Sequence, residues 1–235
     1  MNARTPLLLL LLLATAAVAQ HESTVKVFAT TRVCRGGSCS VEESGGAGVL
    51  VGYCARGGLV VTAAHVVRKA ESVRVIFSQE QEPRKTTVLP PRNRTDACIL
   101  LVPGLHGIAH TPWAREVPKI RSKLHTEGYP QGGLTGHWLH NTGWQNWGKD
   151  GWYMRFDRRA IGGHSGGPVR DENGHLVTII TNEEANPPCS WGPHPPEIWA
   201  LFHTEYMKKL LAETTPKTPP PDAQYFSQGC SPAPG

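Results

Sequence analysis

The chain has 235 residues, 39% hydrophobic and 18% charged, with a formal net charge of +5. That apolar share excludes a disordered chain, and the mild basic balance, with no run of five like charges, gives little reason to expect a nucleic-acid partner. The 25 glycines and 20 prolines disfavour a helical bundle and suit many short strands joined by turns, an all-β chain.

The first feature in chain order is the apolar run Leu7 to Val18, preceded by Arg4 and ending in Ala17-Val18-Ala19. A charged n-region, a short h-region and a small-residue cleavage site read as a signal peptide over residues 1–19, so the mature protein is expected to be secreted or periplasmic. The run is short for a bilayer span and no second one exists, so no stable membrane insertion is expected after signal removal; an uncleaved N-terminal anchor is the alternative.

From Val25 to Val102 short β-rich runs alternate with turn residues: Val25 to Thr31, Gly46 to Cys54, Leu59 to Thr62, Val73 to Phe77 and Cys98 to Val102. A stretch rich in proline and charge follows, and a second set of strands begins near Leu124 and runs to about Thr181. This predicts two β-barrel halves, one over about 23–103 and one over about 121–195, joined by a connector near 104–120. Between Gly132 and Phe156, Trp138, Trp144, Trp147 and Trp152 alternate with glycines, which suits core packing in close hairpins better than an aromatic substrate groove. Pro195 to Glu213 predicts a C-terminal helix, with Ile198, Leu201, Phe202, Tyr206 and Leu210 on one face, and residues 214–235 form a Pro-rich tail.

Six cysteines, Cys34, Cys39, Cys54, Cys98, Cys189 and Cys230, favour three disulfides in an exported chain. Cys34 and Cys39 can close a hairpin around Gly36-Gly37; the other pairings stay open. No metal is expected, because CxxC is absent and His137/His140 and His106/His110 lack companions at ligand spacing. Arg84, Lys85, Arg92 and Arg94 read as a solvated loop, and the sequon Asn93-Arg94-Thr95 as a chance occurrence.

Three segments carry chemistry. Val60-Val61-Thr62-Ala63-Ala64-His65 is a strand running into a histidine, Asp96 leads directly into the apolar strand from Cys98, and Gly162-Gly163-His164-Ser165-Gly166-Gly167-Pro168 surrounds a serine with glycines. A hydroxyl becomes a useful nucleophile when an imidazole takes its proton and a carboxylate fixes the imidazole's tautomer. Ser165, His65 and Asp96 supply one of each, in the order His, Asp, Ser, and the backbone N–H groups of Gly163 and Ser165 are the expected oxyanion donors. Because only a neutral imidazole acts as a base, the rate should fall below about pH 6.5.

These motifs resemble the trypsin-like, chymotrypsin-fold serine endopeptidases over roughly residues 25 to 205. Gly46-Ala47-Gly48 and Gly128-Tyr129-Pro130 look most like the HtrA-like and glutamyl-endopeptidase branch. The resemblance implies two antiparallel six-stranded barrels with the active site between them, a protein or peptide substrate, and no cofactor. It implies that His65 is general base and then acid, that Asp96 orients it, that Ser165 forms the acyl-enzyme, and that Gly163 completes the oxyanion hole. His164 stands where activatable members carry the Asp that pairs with a newly cut N-terminus, so no activation step beyond signal removal is expected. A helix and the tail follow in place of a PDZ domain. Counting six residues back from the serine gives Arg159 as a candidate floor of the substrate pocket, favouring an acidic side chain, unless it or Arg158 pairs with Asp157; Glu183 and Glu184 argue the other way. The rival functions are a protease-fold binding module that no longer cuts and, through GxSxG, an α/β-hydrolase esterase. The sequence carries no signal for oligomeric state.

Overall fold

The computed structural model describes residues 22–89 and 95–213. The expected signal peptide, the Pro-rich tail with Cys230, and Arg92, Asn93 and Arg94 lie outside the described residues.

The first sheet is built from β1 (Thr24–Arg35), β2 (Ser38–Cys54), β3 (Gly57–Thr62), β4 (Ser72–Phe77), β5 (Arg84–Lys85), β6 (Thr87–Val88) and β7 (Cys98–Pro103), in the order β5-β4-β1-β2-β3-β7-β6. Period-two alternation buries Val25, Val27 and Ala29 of β1, while Lys26 and Phe28 on the other face stay half-buried. Central β3 is buried throughout, as its continuous apolar run requires. The β1–β2 hairpin keeps its register from Thr24↔Val49 to Arg35↔Ser38, and its outer part projects into solvent, closed at the tip by the Cys34–Cys39 disulfide. A single helical turn, α1 (Ala64–Val67), follows β3.

The second sheet contains β8 (Lys123–Gly128), β9 (Thr135–Asn146), β10 (Trp152–Phe156), β11 (Pro168–Arg170), β12 (Leu176–Ile179), β13 (Asn182–Ala185) and β14 (Pro188–Pro193), in the order β12-β11-β8-β9-β10-β14-β13. All strand pairs in both sheets are antiparallel, and each sheet has seven strands where six were expected. In the first sheet the excess lies in the two-residue edge strands β5 and β6; in the second, the β13–β14 hairpin extends the sheet past Thr181. The expected single helix is two, α2 (Pro195–Phe202) and α3 (Glu205–Ala212), because Thr204 breaks the run and caps the second helix by accepting a hydrogen bond from Met207 N. Among the described residues no helix is long and apolar enough to cross a membrane.

Cys54, Cys98 and Cys189 are free and buried, so three disulfides do not form. Cys54 and Cys98 sit opposite Gly57 and Thr62, the two ends of β3, about 16 Å apart along the strand and far beyond disulfide reach. Cys189 packs in the second half of the chain with Tyr153 and Trp191.

A buried polar network ties the two sheets together. Arg170, 1% exposed, donates to Glu127 at 2.7 Å and to the hydroxyls of Ser23, Thr24 and Thr111 at 2.9–3.2 Å; Thr24 donates to the same carboxylate at 2.6 Å. The start of β1, the connector, β8 and β11 thus meet on one guanidinium, whose planar fork suits several acceptors at once.

Candidate active site

Because β3 pairs with β7 in the register Thr62↔Cys98, the residues just past the end of β3 and just before the start of β7 are neighbours. That register brings His65 and Asp96 together. Asp96 Oδ1 accepts from the backbone N–H of His65 at 2.8 Å, and Oδ2 lies 2.5 Å from His65 Nδ1. Ala64 N–H donates to the Asp96 carbonyl at 3.2 Å, and Asp96 N–H to the buried Tyr153 hydroxyl at 3.3 Å. Asp96 is thus held from both barrels, while the imidazole remains 38% exposed toward solvent. Arg68 approaches Asp96 at 3.6 Å but is mostly solvent-exposed, so water screens its charge.

Ser165 lies on the loop between β10 and β11. Its carbonyl accepts from Ala47 N–H at 2.7 Å, and Gly166 N–H donates to Ile180 at 2.6 Å. Ahead of it, residues 161–164 form a turn closed by His164 N–H donating to Ile161 at 3.0 Å, with Gly163 at φ +99°. A positive φ at the third residue makes this a type II turn, and a Cβ on Gly163 would stand 2.6 Å from the Tyr129 carbonyl oxygen. Among the described residues, the N–H groups of Gly163 and Ser165 donate to no partner. The chain then runs through Pro168 into antiparallel β11 with no helix after the serine, which removes the α/β-hydrolase alternative.

His65, Asp96 and Ser165 all line one open cleft of about 820 Å³ with walls from both barrels. Matching residues 46–179, the trypsin-like peptidase domain model covers the segment from the glycine that abuts Ser165 to the end of β12. The chain belongs to the trypsin-like peptidase family. As such it is a serine endopeptidase with the two-barrel fold.

Solved structures agree on the fold. The chain is similar to the Rv3671c protease from M. tuberculosis in its active form, with 21% identity, 86% of each chain covered and a TM-score of 0.68. The inactive form of that protease gives a TM-score of 0.63 at the same identity, covering 80% of this chain and 91% of the other. The HtrA-type protease AlgW with a decapeptide is 16% identical with a TM-score of 0.69, over 78% of this chain and 63% of that one. No curated protein matches the sequence.

In this trypsin-like peptidase Arg159 stands apart from the cleft lining. Its guanidinium lies 3.4 Å from Glu183, which does line the cleft, and both side chains are substantially exposed. Asp157 pairs with His140, not with Arg158 or Arg159: it accepts from His140 N–H at 2.7 Å and meets Nδ1 at 2.8 Å. The tryptophans divide. Trp147 lines the cleft and stacks on Tyr153 at 4.4 Å, Trp144 is half-buried against His194, and Trp138 and Trp152 are 43% and 48% exposed, so core packing does not account for the set. Cys98 also borders the cleft, but burial and then the Asp96 charge push its thiol up to about 12, which leaves it without nucleophilic character. Tyr153 had no sequence signal, since its hydroxyl reaches Asp96 from the opposite barrel, 57 residues away.

Proposed function

We propose that this peptidase hydrolyses peptide bonds through a Ser165–His65–Asp96 triad and an acyl-enzyme, outside the cytoplasm. The observation that carries it is the double contact between His65 and Asp96. With Oδ2 against Nδ1, the imidazole keeps its proton on Nδ1 and presents Nε2 as the base, and the carboxylate steadies the imidazolium once the serine proton has moved. Ser165 Oγ then attacks the scissile carbonyl. The resulting oxyanion faces the N–H groups of Gly163 and Ser165, which have no competing acceptor among the described residues. His65 returns the proton to the leaving amine, and water reverses the sequence to free the enzyme. The Cys34–Cys39 disulfide fits an oxidising compartment, in line with the signal peptide expected over residues 1–19.

A fluorophosphonate probe tests this reading. Wild-type protein is expected to label at Ser165, and both Ser165→Ala and His65→Ala to abolish labelling and peptide cleavage. Folded wild-type protein that neither labels nor cleaves would make the cleft a binding surface instead.

A further inference from the structure

His164 stands between the two proposed oxyanion donors, and the residue is 2% exposed. Nδ1 lies 3.2 Å from the Ile161 carbonyl, the same oxygen that closes the 161–164 turn. Its other nitrogen, Nε2, is buried and meets no hydrogen-bond partner among the described residues. His137 of β9 meets this ring at a centroid distance of 5.3 Å and an angle of 69°, and its own Nε2 is equally buried and unpartnered. β8, which pairs with β9, also presses on the loop: a Cβ on Gly128 would lie 2.6 Å from His164 Cα and 2.8 Å from the Gly163 carbonyl oxygen, and Tyr129 N–H holds that oxygen at 3.0 Å. The turn that carries Gly163 is therefore packed against two adjacent strands, by its backbone against Gly128 of β8 and through the His164 ring against His137 of β9.

Two neutral rings fit this space; a proton added at either Nε2 finds no hydrogen-bond acceptor among the described residues. Burial pushes both groups below the ordinary histidine range. For His137 the neighbouring His164, Arg158 and His125 add to the effect, and only Asp157 opposes it. For His164 the opposing groups are the Ile161 carbonyl and Glu183. Asp157 and Glu183 are already engaged by His140 and Arg159.

We propose that His137 and His164 are a positioning pair, in which the His137 ring buttresses His164 and keeps the Ile161–Gly163 turn in its donor-forward form only while both imidazoles are neutral. This rests on the reading of Gly163 and Ser165 as oxyanion donors. Protonation of the pair lets the turn relax, so that the cleft still binds peptide while the developing oxyanion loses a donor.

The test is kcat and KM for a peptide substrate from about pH 5 to about pH 8 in wild type, His137→Ala, His137→Phe and His164→Asn. His137→Ala removes the buttress and is expected to lower kcat at neutral pH by about tenfold or more with little change in KM. His137→Phe restores the ring and recovers most of that loss. In wild type the acid limb of kcat should be steeper than one proton, since the pair titrates in addition to the general base. His164→Asn, whose amide nitrogen can replace Nδ1 at the Ile161 carbonyl, removes one of the two titrating rings and should make that limb shallower than in wild type. An unchanged kcat in His137→Ala, a loss carried by KM, or identical acid slopes in wild type and His164→Asn would overturn the proposal. A wild-type Ser165 that fails to label with fluorophosphonate would instead defeat the underlying reading of the site.

Discussion

The backbone N–H of Ala47 donates to the carbonyl of Ser165 at 2.7 Å, so the first barrel holds the proposed nucleophile by its main chain. Contact this close leaves no room for side chains on either surface. A Cβ on Gly46 would lie 2.7 Å from the Ser165 carbonyl oxygen, and one on Gly166 would lie 2.1 Å from the Ala47 oxygen and 2.3 Å from Thr62 Oγ1. Gly46 of β2 and Gly166 beside the serine therefore let the barrels meet.

Gly166→Ala should accordingly be costly. Gly166 has φ +84°, so strain and overlap add, and we expect a loss of about 2–4 kcal/mol in stability with roughly 100-fold lower kcat/KM. Gly162→Ala is the control for stability, because a Cβ there meets nothing within 4 Å, and its unfolding midpoint should barely move. Urea unfolding of both variants checks this, and equal midpoints would contradict it.

The Arg170 network makes a second prediction. With Arg170 and Glu127 1% and 2% exposed, Arg170→Ala takes the guanidinium away from a buried carboxylate and should cost about 3–5 kcal/mol. Replacing both partners, Glu127→Gln with Arg170→Met, should cost less than the sum of the single changes, since neither variant side chain then carries an unpaired charge. Unfolding on a Ser165→Ala background, which prevents self-digestion, measures it; additive costs would mean that the two groups do not depend on each other.

How much of this was legible in the sequence depends on what each feature asks of the chain. The His65, Asp96 and Ser165 segments stand out because each pairs a reactive side chain with a fixed local structure: a strand end, a strand start and a glycine turn. Features set by distant neighbours were not legible. The break at Thr204 falls inside a run whose apolar periodicity continues from Leu201 to Leu210, so only the cap itself marks it. An even cysteine count suggested three bridges, but strand register places Cys54 and Cys98 at opposite ends of β3. His164 and His137 lie 27 positions apart, and nothing local shows that their rings meet.

Stability should depend on pH through the buried histidines. Burial lowers the affinity of His137, His164 and His194 for protons in the folded chain, so below the ordinary imidazole range the unfolded chain binds more protons than the folded one. Their contribution is complete above about pH 6.5 and shrinks as pH falls toward the depressed folded values. Urea midpoints of Ser165→Ala protein should be lower at about pH 5 than at about pH 7.5. His164→Asn on that background should flatten the difference, and a midpoint independent of pH would show that these rings are not held neutral.

The Arg159–Glu183 pair decides a last question, the sign of charge the cleft prefers. Glu183 lines the cleft and Arg159 does not, and at 3.4 Å the two form an exposed pair. If Arg159 receives an acidic substrate side chain, Glu183→Ala frees the guanidinium and should raise kcat/KM for peptides with Glu or Asp before the cut, whereas Arg159→Ala should lower it. If Glu183 is the receptor, the same two changes act in the opposite sense on peptides with Lys or Arg there: Glu183→Ala weakens them and Arg159→Ala favours them. Exposed pairs of this kind couple by about 1 kcal/mol or less, so shifts of roughly two- to fivefold are expected. Competitive cleavage of a mixed peptide library reads both directions at once, and a profile indifferent to both substitutions would remove this pair from substrate selection altogether.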